Sequence, residues 1–357
     1  MERSKKSKVT LQTIADKLQV SRNTVSKALN DHADVAEETK QLIYSMAVEL
    51  GYKKIGILQK KELHIQKQRE EEAKKEINRN IAFLSYGLQV EGSYWSHILN
   101  GIEEVAKEEG YNIILGSISP EDEEQLVLPN CVSNGSIDGI VLMGSMNEDY
   151  VQKVIGGDIP TVLIDTYAVK YYDQFGADII MVNNEESTRK LTEHLIEQGV
   201  KEIGFIGDIT YSKSFQERWE GFLKAMNDAA LDVNKNYCII HKEAFHYQHK
   251  EAIEEEMQKM VNLPRALVCA NDRIAINVIR ALKKRGVRLP EDVAIVGFDN
   301  IDEAKIIEPS LTTVNICKRD LGRRTMDELI WRIKNPNYPY EVVRMMTKMK
   351  VRKSSIC

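Results

Sequence analysis

The chain contains no apolar run approaching the roughly 18 residues needed to cross a bilayer as a helix, which excludes a helical membrane protein. Its first residues, Met1-Glu2-Arg3-Ser4-Lys5-Lys6-Ser7-Lys8, are charged, but no apolar core and no small-residue cleavage site follow. No secretory leader is expected, and the protein is expected to be cytoplasmic. Cysteine is scarce: Cys131, Cys238, Cys269, Cys317 and Cys357 are odd in number, scattered, and form no Cys-x-x-Cys pair. That excludes a disulfide framework and points to reduced thiols. The chain also lacks a phosphate-cradling P-loop, a nucleophile spaced with its base, and paired carboxylates. The best metal candidate, His241, His246 and His249 near Cys238, lacks a paired ligand motif and lies on a polar stretch. No metal, cofactor or enzymatic activity is expected.

A length of 357 residues exceeds the roughly 250–300 at which single cores stop growing, so more than one domain is expected. The net charge of −5 conceals an asymmetry. Residues 1–79 hold about 17 Lys and Arg against about 12 Asp and Glu, leaving the remainder near −10. Only the N-terminal segment suits a polyanion.

Thr10 is placed to cap a helix in which Leu11, Ile14, Ala15 and Leu18 fall at i, i+3, i+4, i+7 spacing on one stripe. After a short turn, Ser21 caps a second helix, ending near Asn30, whose buried side is Val25, Ala28 and Leu29. A third follows Asp34-Val35-Ala36, with Leu42, Ile43, Met46, Ala47 and Leu50 as the stripe and Gly51 as the stop. Three such helices close one small core in the manner of a helix-turn-helix head, whose second helix lies in the major groove. The exposed start of that helix carries Arg22, Asn23 and Thr24, with Lys27 a turn later. Arg can grip guanine O6 and N7, Asn adenine N6 and N7, and the Thr methyl can pack on a thymine methyl. A merely solvated helix face would explain the polar residues less well, because the opposite side is wholly apolar.

The run Val9-Thr10-Leu11-Gln12-Thr13-Ile14-Ala15, continued by Val20-Ser21-Arg22-Asn23-Thr24-Val25-Ser26-Lys27-Ala28-Leu29-Asn30, strongly resembles the lactose/galactose repressor family. The resemblance implies sequence-specific binding to a double-stranded, pseudo-palindromic DNA operator, with Thr10, Ser21, Arg22, Asn23, Thr24, Lys27 and Asn30 at the DNA. Family members usually have a small residue where Gln19 stands and a capping Ser or similar where Ala36 stands. After Gly51-Tyr52 they continue into a hinge helix whose leucine wedges the minor groove. Here a Lys-, Glu- and Gln-rich stretch follows instead, read as a solvated helix or stiff linker, with Leu58 and Leu63 as alternative wedges. The expected organisation is a head at 1–58, a charged linker or atypical hinge at 59–79, and a sensor and dimerisation domain at 80–357.

From Asn80 onward, short apolar runs alternate with amphipathic stretches. They are Ile81–Leu84, Asn112–Leu115, Gly139–Leu142, Thr161–Asp165, Ile179–Val182, Ile203–Ile206, Cys238–His241, Ala266–Cys269 and Val293–Phe298. This βαβ rhythm predicts an α/β sensor of two doubly wound parallel sheets. Ligands of such sheets bind beyond the carboxyl ends of the strands, where Asp165, Asn271, Asp272 and Asp299 stand. Arg218 is expected to begin the helix after the Gly204–Gly207 strand and to point into the same cleft. Tyr94, Trp95 and Phe245 are aromatic candidates for stacking on a ligand, with ordinary core packing as the alternative.

The family resemblance extends over nearly the whole chain through Asn100-Gly-Ile-Glu-Glu104, Ile159-Pro-Thr-Val-Leu-Ile-Asp165, Arg218-Trp-Glu-Gly-Phe222, Asn271-Asp272, Leu289–Asp299 and Pro309–Val314. It implies a two-lobed, periplasmic-binding-protein-like (type I) sensor with a small-molecule effector, a sugar or sugar derivative, held at the Arg, Asn-Asp and Asp of these motifs. One motif departs: Asn183-Asn184 stands where the family has Asp-Asn. The family's tetramer-forming leucine heptads are missing from the Lys-rich end, so a homodimer is expected. A ligand-independent DNA-binding dimer and a cytosolic sugar-binding protein without regulated DNA binding stand as alternatives, as do inducer and corepressor.

Overall fold

A computed structural model describes residues 9–30, 32, 34–52, 78–86, 93–172, 175–240 and 250–355. The chain divides into two compact units, Met1–Glu76 and Ile77–Cys357. Most of the expected linker, with Leu58 and Leu63, lies outside the described residues, as do Phe245 and the three histidines near Cys238.

The N-terminal unit is built from α1 (Leu11–Leu18), α2 (Arg22–Leu29) and α3 (Glu37–Glu49). Thr10 and Thr13 form a capping box on α1, and Gln19 ends the helix at φ 55°. That left-handed geometry explains why a small residue suits the turn better than Gln. Ile14, Ala15, Val25, Ala28, Ile43 and Ala47 form the core. Leu42 corrects the expected stripe: it is 59% exposed, and Tyr44 packs on the core with Met46 and Leu50 instead. Gly51 supplies the stop at φ 73°.

In the larger unit the first lobe runs through β1 (Asn80–Tyr86), α4 (Ser93–Glu108), β2 (Asn112–Ile118), α5 (Pro120–Gln125), α6 (Asn130–Ser133), β3 (Gly139–Met143), α7 (Glu148–Ile155), β4 (Thr161–Ile164) and β5 (Asp178–Val182). The chain then enters the second lobe as α8 (Asn184–Glu197), β6 (Ile203–Ile206), α9 (Lys213–Asp228), α10 (Lys250–Lys259), β7 (Ala266–Cys269), α11 (Asp272–Lys284), β8 (Ala294–Asp299), α12 (Glu303–Ile306) and β9 (Thr312–Asn315). It returns to the first lobe with α13 (Lys318–Lys334) and β10 (Val342–Met345), and ends in the second with β11 (Lys348–Lys350).

The sheet orders are β10-β5-β4-β3-β1-β2 and β11-β9-β8-β7-β6. All pairings are parallel except β11 on β9. Strands buried on both faces read as continuous apolar runs, and every residue of β3, β4, β6 and β7 is buried. Two expectations are corrected. Cys238–His241 contributes only a single bridge, Ile239 to Ile206, among the described residues. The strands β9, β10 and β11 are additional, the last two because their exposed or half-exposed residues carry no apolar run. Near the Lys-rich end, Ser354 and Ser355 are fully buried and Ser354 Oγ accepts from Thr312 N at 2.8 Å.

Among the described residues the chain therefore passes between the lobes three times, at Val182–Asn184, Asn315–Lys318 and Met345–Lys348. Glycines seat the helices beside these crossings. A Cβ on Gly221 of α9 would stand 2.1 Å from the Glu185 carbonyl oxygen of α8, and one on Gly101 of α4 would stand 2.0 Å from the Arg319 carbonyl oxygen of α13. Each lobe thus needs a glycine where the helix after its first strand meets the helix after a crossing. Gly221→Ala and Gly101→Ala should each lower stability by about 1–3 kcal/mol through overpacking, read as a lower urea midpoint of the sensor. An unchanged midpoint would show that the helices separate freely.

Candidate functional site

In the N-terminal unit, capping commits several of the expected DNA-facing side chains. Ser21 Oγ accepts from Thr24 N at 3.0 Å and lies 2.8 Å from Thr24 Oγ1. Asn30 Nδ2 donates to Ser26 O at 2.8 Å, and Thr10 belongs to the α1 capping box. Lys27 pairs with Asp34 at 2.9 Å, an exposed contact of the kind that exchanges readily for another anion. Arg22 and Asn23 are exposed at the first two positions of α2. The arrangement is a rigid helix start with its caps satisfied and its longest polar side chains outward.

In the larger unit, Asp165, Asn271, Asp272 and Asp299 stand at the carboxyl ends of β4, β7 and β8, and Arg218 of α9 reaches Asp299 there. Arg218 lies in the second turn of α9 rather than at its start. It is 4% exposed, and its guanidinium stacks 3.7 Å from the Phe298 ring centroid. Nε donates to Asn184 Oδ1 at 3.0 Å and one terminal nitrogen to Ala270 O at 2.7 Å. The other terminal nitrogen stands 3.6 Å from Asp299 Oδ1. That oxygen is buried and has no hydrogen-bond partner among the described residues. Burial pushes the Asp299 carboxyl up to about 6 against the pull of Arg218 and Lys318.

The other candidates divide by what occupies them. Asp165 holds φ 64°, and its Oδ1 accepts from Thr166 N at 2.8 Å and Ser214 N at 3.1 Å. The first lobe thereby grips the start of α9, and burial raises its pKa. Asn271 Oδ1 accepts from Ile274 N at 2.9 Å as the cap of α11. Asp272 is fully buried, accepting from Ile301 N at 2.9 Å and from Thr313 Oγ1. Burial, then the Asp299 charge, push it up to about 8. Its carboxylate braces the loop after β8 and is not presented to the cleft, which corrects the expectation placed on it. Tyr94 and Trp95 are half-buried and packed edge to face, centroids 4.8 Å apart. Burial and the Asp299 charge raise the Tyr94 phenol.

Sequence reasoning missed Lys318, which is 7% exposed at the start of α13. Its Nζ lies 5.6 Å from the Tyr94 ring centroid and donates to the carbonyl oxygens of Asp299 and, at 3.1 Å, Asn300. Both acceptor residues hold positive φ, 107° and 51°, costly for residues with a Cβ. The ammonium holds that turn in place. A buried lysine following a strand has no periodic signature, so no pattern marked it.

Residues 10–54 match the model for bacterial regulatory proteins of the lacI family, and residues 192–355 match a periplasmic binding protein-like domain. The chain belongs to the lacI family. It is 29% identical over 352 residues to a transcriptional repressor, PurR of Pasteurella multocida, covering 97% of this chain and 98% of that one. Among solved structures it resembles the CelR regulator in complex with cellobiose, with a TM-score of 0.68 and 21% identity over 97% of this chain and 99% of that one. The lac repressor dimer bound to operator and an anti-inducer gives a TM-score of 0.65 and 20% identity over 98% and 100% of the two chains. This lacI-family chain is thus a DNA-binding transcriptional regulator with a helix-turn-helix head and a two-lobed sensor. Among the described residues no helix is long and apolar enough to cross a membrane.

The Asp299 geometry carries a pH signature. Its folded pKa of about 6 exceeds the ordinary 3.8, so the folded protein binds the extra proton and stability contributed by this group falls as pH rises from about 4 to 6. Against Asp299→Asn, which lacks the titration, the parent should lose ground across that window in urea unfolding. A difference independent of pH would place the carboxylate in contact with water.

Proposed function

We propose that this lacI-family protein is a cytoplasmic repressor acting as a homodimer, with residues 1–58 as the DNA-binding head, 59–79 as the linker and 80–357 as the sensor. Its two heads read half-sites of a pseudo-palindromic operator, and a small molecule in the cleft at Arg218 and Asp299 sets operator affinity. The role is binding rather than catalysis. One observation carries the effector reading: the buried Asp299 Oδ1 has no hydrogen-bond partner among the described residues and lies beside the remaining terminal nitrogen of Arg218. A buried carboxylate oxygen left without a donor is costly. A ligand hydroxyl donating to Asp299 and accepting from Arg218 would relieve that cost, which favours a sugar or sugar derivative. Half-buried Tyr94 and Trp95 supply apolar faces beside it.

At the head, Arg22 and Asn23 are the base-reading pair, with Thr24 and Lys27 beside them. Thr10, Ser21 and Asn30 act by fixing the helices, and a capped helix start can still offer backbone amides to phosphates. The ligand acts by its differential affinity for two lobe arrangements, and either sign of regulation is consistent with that.

Two experiments test the reading. Selection from a random DNA pool should enrich a palindrome of two half-sites, and Arg22→Ala should relax discrimination at one base pair by about 1–3 kcal/mol. Unaltered discrimination across operator variants would remove Arg22 from base readout. On the selected operator, a screen of neutral sugars, sugar phosphates and nucleobases should yield a compound that shifts affinity in the parent. Asp299→Asn should lose that shift while keeping operator binding. A compound acting equally on both would move the effector away from Asp299, and a screen without any active compound would favour a ligand-independent dimer.

A further inference from the structure

Resting on the reading of the cleft just given, we propose that the effector pair Arg218–Asp299 is wired to the interlobe hinge by one positioning side chain at or beside each crossing, two holding the pair directly and the third holding it through Glu217 and Asn184. At the first crossing Asn184, fully buried, accepts from Arg218 Nε at 3.0 Å. At the second, Lys318 grips the carbonyl oxygens of Asp299 and Asn300. Beside the third, Arg344 of β10 donates to both oxygens of Glu217 on α9, at 2.8 and 2.7 Å, from the first lobe to the second. Glu217 closes the circuit, since its Oε2 also accepts from Asn184 Nδ2 at 3.4 Å.

Two independent features support the wiring. Asn184 and Lys318 occupy corresponding places, at the starts of the two helices that follow a crossing, and one holds the effector cation while the other holds the backbone of the residue that carries the effector carboxylate. The buried members also leave little slack: Glu217 is 5% exposed and Arg218 4%. The Arg344–Glu217 contact is the two-pronged kind that fixes angle as well as distance. The Asn183 amide, donating to Met345 O at 3.0 Å, ties the first crossing to the third. A rotation at the hinge displaces the acceptor of Arg218 Nε and the donor to Asp299 together. A ligand engaging both groups therefore selects one hinge angle, without needing any contact to the hinge itself.

Hydrogen–deuterium exchange on the full chain, with no ligand added, tests this. In Lys318→Met and Arg344→Met, exchange in segments 182–187 and 299–302 should rise by about tenfold or more, while strand 266–269 changes by less than about twofold. Lys318→Arg, which keeps the cation, should stay near the parent, as should Arg288→Ala, which breaks an exposed ion pair far from any crossing. Should Arg344→Met not fold, Glu217→Gln gives the same readout with the side-chain shape kept. Unchanged exchange at the crossings, or equal acceleration in 266–269, overturns the proposal, the second by showing a general loss of stability. Because no ligand is involved, failure here leaves the effector reading standing, and failure of the ligand screen leaves the wiring standing.

Discussion

The sensor is organised around an almost wholly buried guanidinium. Burying Arg218 would cost several kcal/mol if it were unpaired, and its partners come from three different parts of the fold: Asn184 from α8, Ala270 from the loop after β7, Phe298 and Asp299 from β8. These elements must converge for the charge to be tolerated. The glycine contact between α8 and α9 follows from the same demand, because Arg218 reaches Asn184 only if the two helices nearly touch. A packing constraint and an electrostatic one thus select the same geometry.

The cleft is asymmetric in how its groups are committed. Asp272 spends both carboxylate oxygens within the protein, and Asp165 and Asn271 each spend one side-chain oxygen on backbone amides that fix the neighbouring helices. Asp299 is the exception, held in a strained turn by Lys318 and carrying an oxygen that the described residues leave unsatisfied. Strain and an unmet acceptor at one residue are what a site that gives up stability for binding would show.

The head follows a different logic. Its core is small, and helix starts are secured by Thr10 and Ser21 before any DNA is present. On the proposed reading, recognition is left to Arg22 and Asn23, exposed at the first two positions of α2. Separating the residues that fix the helix from those that read bases lets the second set vary without loss of fold.

The sequence by itself determined the local structure. Capping residues and 3.6-residue stripes located the three head helices, and apolar runs located eight strands of the sensor, because caps and buried strands are written in contiguous residues. Leu42 misled, since helical spacing does not distinguish one flank of a stripe from the other until neighbours are placed. The strand β9 escaped because its run is Thr-rich, and β10 and β11 because exposed edge strands lack an apolar signature. Polar residues after apolar runs marked positions that the fold brings together, since parallel sheets place their strand ends side by side. Only the tertiary structure decided which of those residues is committed and which is open. It alone brought Lys318 and Arg344 to the cleft, from positions more than a hundred residues beyond Asn184. The hydrogen-bond partners of a buried charge are chosen by the folded neighbourhood, and no spacing within one segment records them.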